Sequence, residues 1–275
     1  MMNDTIEIIN LVPKFLDFYN KSVDCDEETR FDLWKKHYAF AAVPPGEDGE
    51  RLVKQQLAAS WERYGTVITF LEQWDPKMEQ MQEYLFKVKE ALAYDDAVDV
   101  ALIFFVGGFD GNAFAAPYGE NRVAVCLPVE AGLDEIVIVH ELTHLVHGKI
   151  IGSTMSYEKT VASLVFQEGL ATQLSKYLVP GQKDEAYIEH QEGWLQECYK
   201  DAEQIVQGIK PYLQECSGEV IYRFTMGTGT TGKVREGYFA GWILIGDMLL
   251  DGWSFAEIAR VAEEDMARVL NAHRS

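Results

Sequence analysis

The sequence predicts a mostly helical α+β fold, a small sheet wrapped by many helices. Three observations carry that expectation. Apolar residues recur at helical spacing through the N-terminal third and again from Leu133 onward. Between these stretches lie two short runs of β-branched and aromatic residues, the pattern of buried strands. No internal repeat, low-complexity tract or clear linker cuts the chain. The expected organisation is a helical region over 1–95 and a second region over 96–275 that holds the sheet and the remaining helices, joined as one continuous unit.

The N-terminal stretch reads as helices throughout. An amphipathic segment runs from about Phe31 to Phe40 and is followed by Pro44-Pro45-Gly46. Asp75-Pro76 reads as the next helix start, an N-cap with proline at the first helical position. Behind it Met78, Met81, Leu85, Val88 and Leu92 keep helical spacing. Val98 then opens VDVALIFFVGGF, a strand ended by a glycine pair. A second strand, Arg122 to Leu127, stops at Pro128, and the connection GNAFAAPYGE suits a turn or another short strand. The later helices are broken at Val179-Pro180-Gly181, at Pro211 and across a Gly/Thr-rich loop from Gly227 to Gly237. Ser254 with Glu257 reads as a capping box near the C-terminus.

Composition bounds the function. Asp and Glu number 44 against 24 Lys and Arg, a net charge of −20. Phosphate backbones and anionic membrane surfaces both need a basic face, so neither nucleic acid nor a membrane is an expected partner. The apolar run Tyr238 to Leu250 contains Asp247 and is shorter than the roughly 20 residues of a membrane span. The N-terminus places acids where a signal peptide needs a basic stretch. Cys25, Cys126, Cys198 and Cys216 form no CxxC pair and read as buried, reduced thiols. A cytoplasmic setting is the consistent expectation.

The chemistry lies in LDEIVIVHELTHLVHG, which contains His140-Glu141-Leu142-Thr143-His144, an HExxH motif. On a helix, residues four apart stand one turn along the same face, so both imidazoles reach one metal ion. Glu141, offset by one position, stands where it can take a proton from an activated water. The flanking residues are apolar nearly all round, so the helix is expected to be buried. Two histidines and a glutamate in such a helix need partners, and a metal supplies them. A catalytic zinc takes three protein ligands and keeps a fourth position open.

The metzincin arrangement fails here, because His147 and Ile150 stand where its glycine and third histidine belong. The better third ligand is Glu168, which continues the stripe of Val161, Leu164 and Val165 on the following helix. Glu158, in the first turn of that helix, is a weaker candidate. His147 shares the face of His140, but three consecutive turns fan out too far to close a tetrahedron, which leaves it beside the cleft or on a solvent edge.

HELTH, then QEGLA, then REGYFAGW resemble the gluzincin zinc metallopeptidases of the thermolysin-like clan, most of all an uncharacterised bacterial family of proposed zinc-dependent proteases. The resemblance covers roughly Val98 to Leu250. It implies a zincin-like metallopeptidase fold with one Zn2+ ion, His140, His144 and Glu168 as ligands, Glu141 as general base, and a peptide or protein substrate. It also implies Tyr238 as the group that hydrogen-bonds the oxyanion, although Tyr238 equally continues a core stripe with Trp242, Ile245 and Leu249. Arg235 in the same loop is a carboxylate or carbonyl anchor, or a surface charge. Asn112-Ala113-Phe114 is similar to the substrate-pairing edge strand of thermolysin-like enzymes. The sequence departs from the clan in the longer spacing from His144 to Glu168, in Thr172 where an acid is usual, and in lacking the aminopeptidase signature.

Two other readings compete. Gly227 to Val234 nearly matches a phosphate-binding loop, with EVIYRFT as the strand before it, but Val234 stands where a magnesium-binding Ser or Thr belongs. A non-hydrolytic protein that keeps the metal site for binding or stability is the third reading. A structural site gains nothing from Glu141 and closes its fourth position.

Overall fold

Thr5 and Glu7 alternate with Ile6 and Ile8, the two-residue period of a strand. The computed structural model, which describes residues 4–41, 43, 46–119, 122–152 and 159–273, forms β1 there (Thr5–Asn10). The expectation of helices throughout the N-terminal stretch is corrected on this point. A strand this short gains its hydrogen bonds from β2 (Asp99–Phe105), which begins far along the chain, and its own alternation is only a few residues long. Helices α1 (Val12–Ser22), α2 (Glu27–His37), α3 (Glu47–Gln73) and α4 (Met78–Ala91) follow β1. Asp75 and Pro76 precede α4 rather than capping it, because the Trp74 N–H still closes the end of α3 on the Leu71 carbonyl. Pro44, Pro45 and Glu158 lie outside the described residues.

The strand after Val98 is β2, and it is buried from Val100 to Phe105. The connection after it forms β3 (Phe114–Tyr118), and β4 spans Arg122–Pro128. The sheet order is β1-β2-β4-β3, with β1, β2 and β4 parallel and β3 antiparallel at the edge. Leu102 in β2 pairs with Ile8 on one side and Val125 on the other. A central parallel strand covered on both faces reads as an unbroken apolar run, as this one does.

The chain divides into two compact units, crossing between them at 82/83, 95/96 and 134/135. The first unit holds residues 1–82 and 96–134, hence the whole sheet. Its helices contribute an aromatic cluster in which the Phe15 ring lies 4.9 Å from Tyr64 and 5.4 Å from Tyr38. Both tyrosine hydroxyls tie down the loop after β2. Tyr38 Oη donates to the Val106 carbonyl at 2.9 Å and accepts from Val106 N–H at 2.7 Å, while Tyr64 Oη donates to the Gly107 carbonyl at 2.8 Å. The buried Glu130 carboxylate closes this loop by accepting from the N–H groups of Gly107 (2.8 Å) and Phe109 (2.9 Å).

The second unit holds residues 83–95 and 135–275. Its core is made by α5 (Glu135–Ile150), α6 (Val161–Leu178) and α11 (Glu236–Leu250). Around these lie α7 (Glu185–Ile188), α8 (Trp194–Lys200), α9 (Ala202–Ile209), α10 (Gly218–Thr225), α12 (Phe255–Ala259) and α13 (Glu263–Ala272). As expected, α5 is buried nearly all round. Ser175 Oγ on α6 donates to the Ile136 carbonyl of α5 at 3.3 Å, and Gln173 Nε2 donates to the Trp242 carbonyl of α11 at 2.7 Å. Helices α6 and α11 meet backbone to backbone. A Cβ added at Gly169 would stand 2.4 Å from the Gly241 carbonyl oxygen, and one at Gly241 would stand 2.3 Å from the Val165 oxygen. Only glycine permits that approach.

The capping box at Ser254 and Glu257 is present at the start of α12. The segment EVIYRFT, expected as a strand, is helix α10, whose start is capped by Ser217. Among the described residues no helix is long and apolar enough to cross a membrane. All four cysteines are free; Cys126 and Cys198 are buried, Cys25 is half-buried, and Cys216 is exposed, against the expectation of four buried thiols.

Candidate metal centre

Helix α5 presents His140 and His144 one turn apart, and α6 presents Glu168 to the same point. The two Nε2 atoms lie 3.0 Å apart, and Glu168 Oε2 lies 3.3 Å from that of His140 and 3.6 Å from that of His144. Ligand atoms around a tetrahedral ion with bonds of about 2.0–2.1 Å stand roughly 3.3–3.4 Å from one another. The three separations bracket that value, so these residues fit a single ion and could hold one. Their side chains remain 20, 21 and 16% exposed, enough to admit a small ligand from solvent.

The electrostatics agree with the geometry. Burial pushes the Glu168 carboxyl up, but the His144 and His140 imidazoles outweigh it and hold the group well below the usual carboxylate range. Burial lowers His144, and the Glu168 carboxylate more than restores it, so its pKa is raised. Glu141 is buried on α5, between the two histidines in sequence, and its charge is felt by His144.

Helix α11 carries Tyr238, whose hydroxyl feels the Glu168 carboxylate. The glycine contact between α6 and α11 involves Gly169, the neighbour of Glu168, and Gly241, less than one turn beyond Tyr238. The Tyr238 hydroxyl is raised above its ordinary pKa first by the Glu168 carboxylate, then by burial, with Glu141 adding to both. Arg235 lies over the Tyr238 ring, its guanidinium carbon 3.9 Å from the centroid, and its Nη1 is 3.3 Å from His190 Nδ1.

The Gly/Thr-rich loop before α11 is closed on itself by one residue. Glu236 is fully buried. Its Oε2 accepts from the Thr230 N–H (2.7 Å) and Oγ1 (3.1 Å), and its Oε1 accepts from the Thr231 N–H (2.8 Å), Thr231 Oγ1 (2.7 Å) and Lys233 N–H (3.2 Å). The amide groups that a phosphate would need are thus taken by an internal carboxylate. Lys233 pairs with Asp201. With α10 in place of a strand, neither half of the phosphate-loop pattern has its structural context.

Of the residues singled out from sequence, His140, Glu141, His144, Glu168, Tyr238 and Arg235 belong to the second unit. Asn112 and Ala113 belong to the first, in a turn before β3 where Asn112 N–H meets Asp110 Oδ1 at 3.2 Å and Ala113 N–H meets the Gly111 carbonyl at 3.0 Å. His147 is on no solvent edge. It is 1% exposed, lies 6.3 Å from the Phe166 ring, and its Nε2 has no hydrogen-bond partner among the described residues. Burial, with lesser contributions from His144 and Lys159, lowers its pKa to about 3. Sequence reasoning missed Glu236 and His190. A signal existed for Glu236, an acid in the first turn of an apolar helix directly after a loop full of N–H donors. None existed for His190, which joins Arg235 only through folding.

No protein-family model matches this chain, no curated protein matches it, and no solved structure matches it.

Proposed function

We propose that this protein is a zinc-dependent metallopeptidase of the gluzincin type, with a zincin-like fold and a single Zn2+ held by His140, His144 and Glu168. The observation that carries the reading is the convergence of three ligand atoms from two helices within 3.6 Å of one another, with a buried carboxylate adjoining them. Two imidazoles and a carboxylate form a donor set that suits zinc. The ion, when bound, supplies Lewis acidity and lowers the pKa of water toward about 7.

The chain's own residues do the rest. Glu141 accepts a proton from the attacking water at its carboxylate and delivers it to the departing amine. Tyr238, kept protonated by the neighbouring carboxylates, donates its O–H to the oxyanion that develops on the peptide carbonyl. His144 and His140 keep Glu168 ionised as a ligand.

Glu141→Gln is the decisive variant. It is expected to retain one ion per chain by metal analysis while losing at least about a hundredfold in turnover of a peptide library. Turnover equal to that of the native protein would remove Glu141 from the mechanism. A bound ion without hydrolysis of any peptide by the native chain would favour a metal-binding protein instead.

A further inference from the structure

The loop before α11 leaves a cation without a counter-ion. Among the described residues Arg235 has no carboxylate at ion-pair distance, in a chain whose acids exceed its Lys and Arg by 20. Its guanidinium lies instead on the face of Tyr238 and against His190 Nδ1. Desolvation and the charge of Arg235 itself lower the His190 pKa, and Nδ1 faces an Arg235 N–H that only the neutral ring can accept there. A neutral partner orients the guanidinium without cancelling its charge.

The backbone holds this arrangement. Arg235 takes φ +57, a left-handed conformation uncommon for any residue but glycine, at the point where the Glu236 cage closes the loop. Its carbonyl then accepts the Tyr238 N–H at 3.1 Å. The Tyr238 hydroxyl feels the Glu168 carboxylate of the ligand cluster, and the cation lies on the Tyr238 ring. A peptide's terminal carboxyl lies one residue, about 3.3–3.6 Å of extended chain, beyond its last peptide bond. A planar guanidinium fork matches a carboxylate.

We propose that Arg235, oriented by His190, binds the C-terminal carboxylate of the substrate, so that the site removes the last residue of a peptide. The inference rests on the peptidase reading above. The C–N bond of the last peptide link breaks and water supplies the oxygen of the new C–O bond. Its proton passes through Glu141 to the amine of the released amino acid. Nothing is oxidised or reduced.

The test uses the zinc-loaded native protein and an N-acetylated pentapeptide with either a free or an amidated C-terminus. The free acid is expected to lose its last residue, and the amide to react slower by on the order of tenfold to a hundredfold, as for a lost charge-assisted hydrogen bond. In Arg235→Met, which keeps an aliphatic stem over Tyr238, that ratio is expected to fall to about one. A second measurement needs no activity: in the metal-free native protein, N-acetyl-alanyl-alanine should shift the His190 ring signals in NMR while its amide does not. Equal cleavage of both peptides, cleavage in their interior, or an unmoved His190 would overturn the carboxylate site and leave the peptidase reading standing. No cleavage of either, with the His190 shift intact, would overturn the peptidase reading and leave the carboxylate site.

Discussion

The first unit buries the Glu130 carboxylate against two backbone N–H groups of a loop, and the second buries Glu236 against five loop donors. Glu168, in that same second unit, accepts no backbone N–H among the described residues and faces two imidazoles instead. All three are carboxylates largely removed from water, a costly state unless the charge is compensated. Scaffold and site part on this point. A carboxylate saturated by the amides of its own loop has no capacity left for a ligand. One compensated by two neutral-capable bases, on a partly exposed edge, keeps its capacity for a cation.

The contrast can be broken most sharply at Glu236. Its removal in Glu236→Ala leaves three partly buried N–H groups unpaired, and the expected loss is about 3 kcal/mol. The same change at Glu130 orphans two, for about 2 kcal/mol. Urea unfolding of both variants measures the difference, and equal, negligible losses would show that these carboxylates do not hold their loops.

His147 gives the next effect, and it depends on pH. Its pKa is about 3 in the folded chain against an ordinary 6.5. Below pH 6.5 the unfolded chain binds a proton that the folded chain refuses, so stability falls as pH falls, approaching about 1.4 kcal/mol per pH unit. His147→Leu is expected to flatten that part of the stability curve between pH 7 and pH 5 in metal-free protein. Parallel curves for the two proteins would remove His147 from the acid response.

The smallest change in stability is expected at Glu168. No backbone donor is orphaned in Glu168→Ala, so folding should shift by within about 1 kcal/mol in the absence of metal. Ion affinity should fall by on the order of a hundredfold or more in titration calorimetry. A large loss of stability with unchanged affinity would place Glu168 with Glu130 and Glu236, as scaffold.

Much of the candidate centre was legible because it is local. His140 and His144 are four residues apart on one strongly apolar segment, and helix geometry alone puts them on one face. Glu168 broke an apolar stripe, which marked it as a charge in need of compensation. The sheet was legible where its strands were buried on both sides, in β2 and β4. It was missed in β1, whose alternation is brief and whose one partner is distant in sequence; and α10, where Ile221, Tyr222 and Phe224 have strand-like composition, is a helix with a serine cap.

The buried helix, the spacing of its two imidazoles and the acid beside them are written in the residue order, because they follow from 3.6 residues per turn and the cost of burying a charge. Folding alone brings Glu168 to the two imidazoles and sets Arg235 on the Tyr238 ring. The approach of α11 to α6 depends on Gly169 and Gly241, where each helix lacks the side chain that would hold them apart. No periodicity encodes such a contact, because it joins residues more than seventy positions apart through packing rather than through the geometry of either helix.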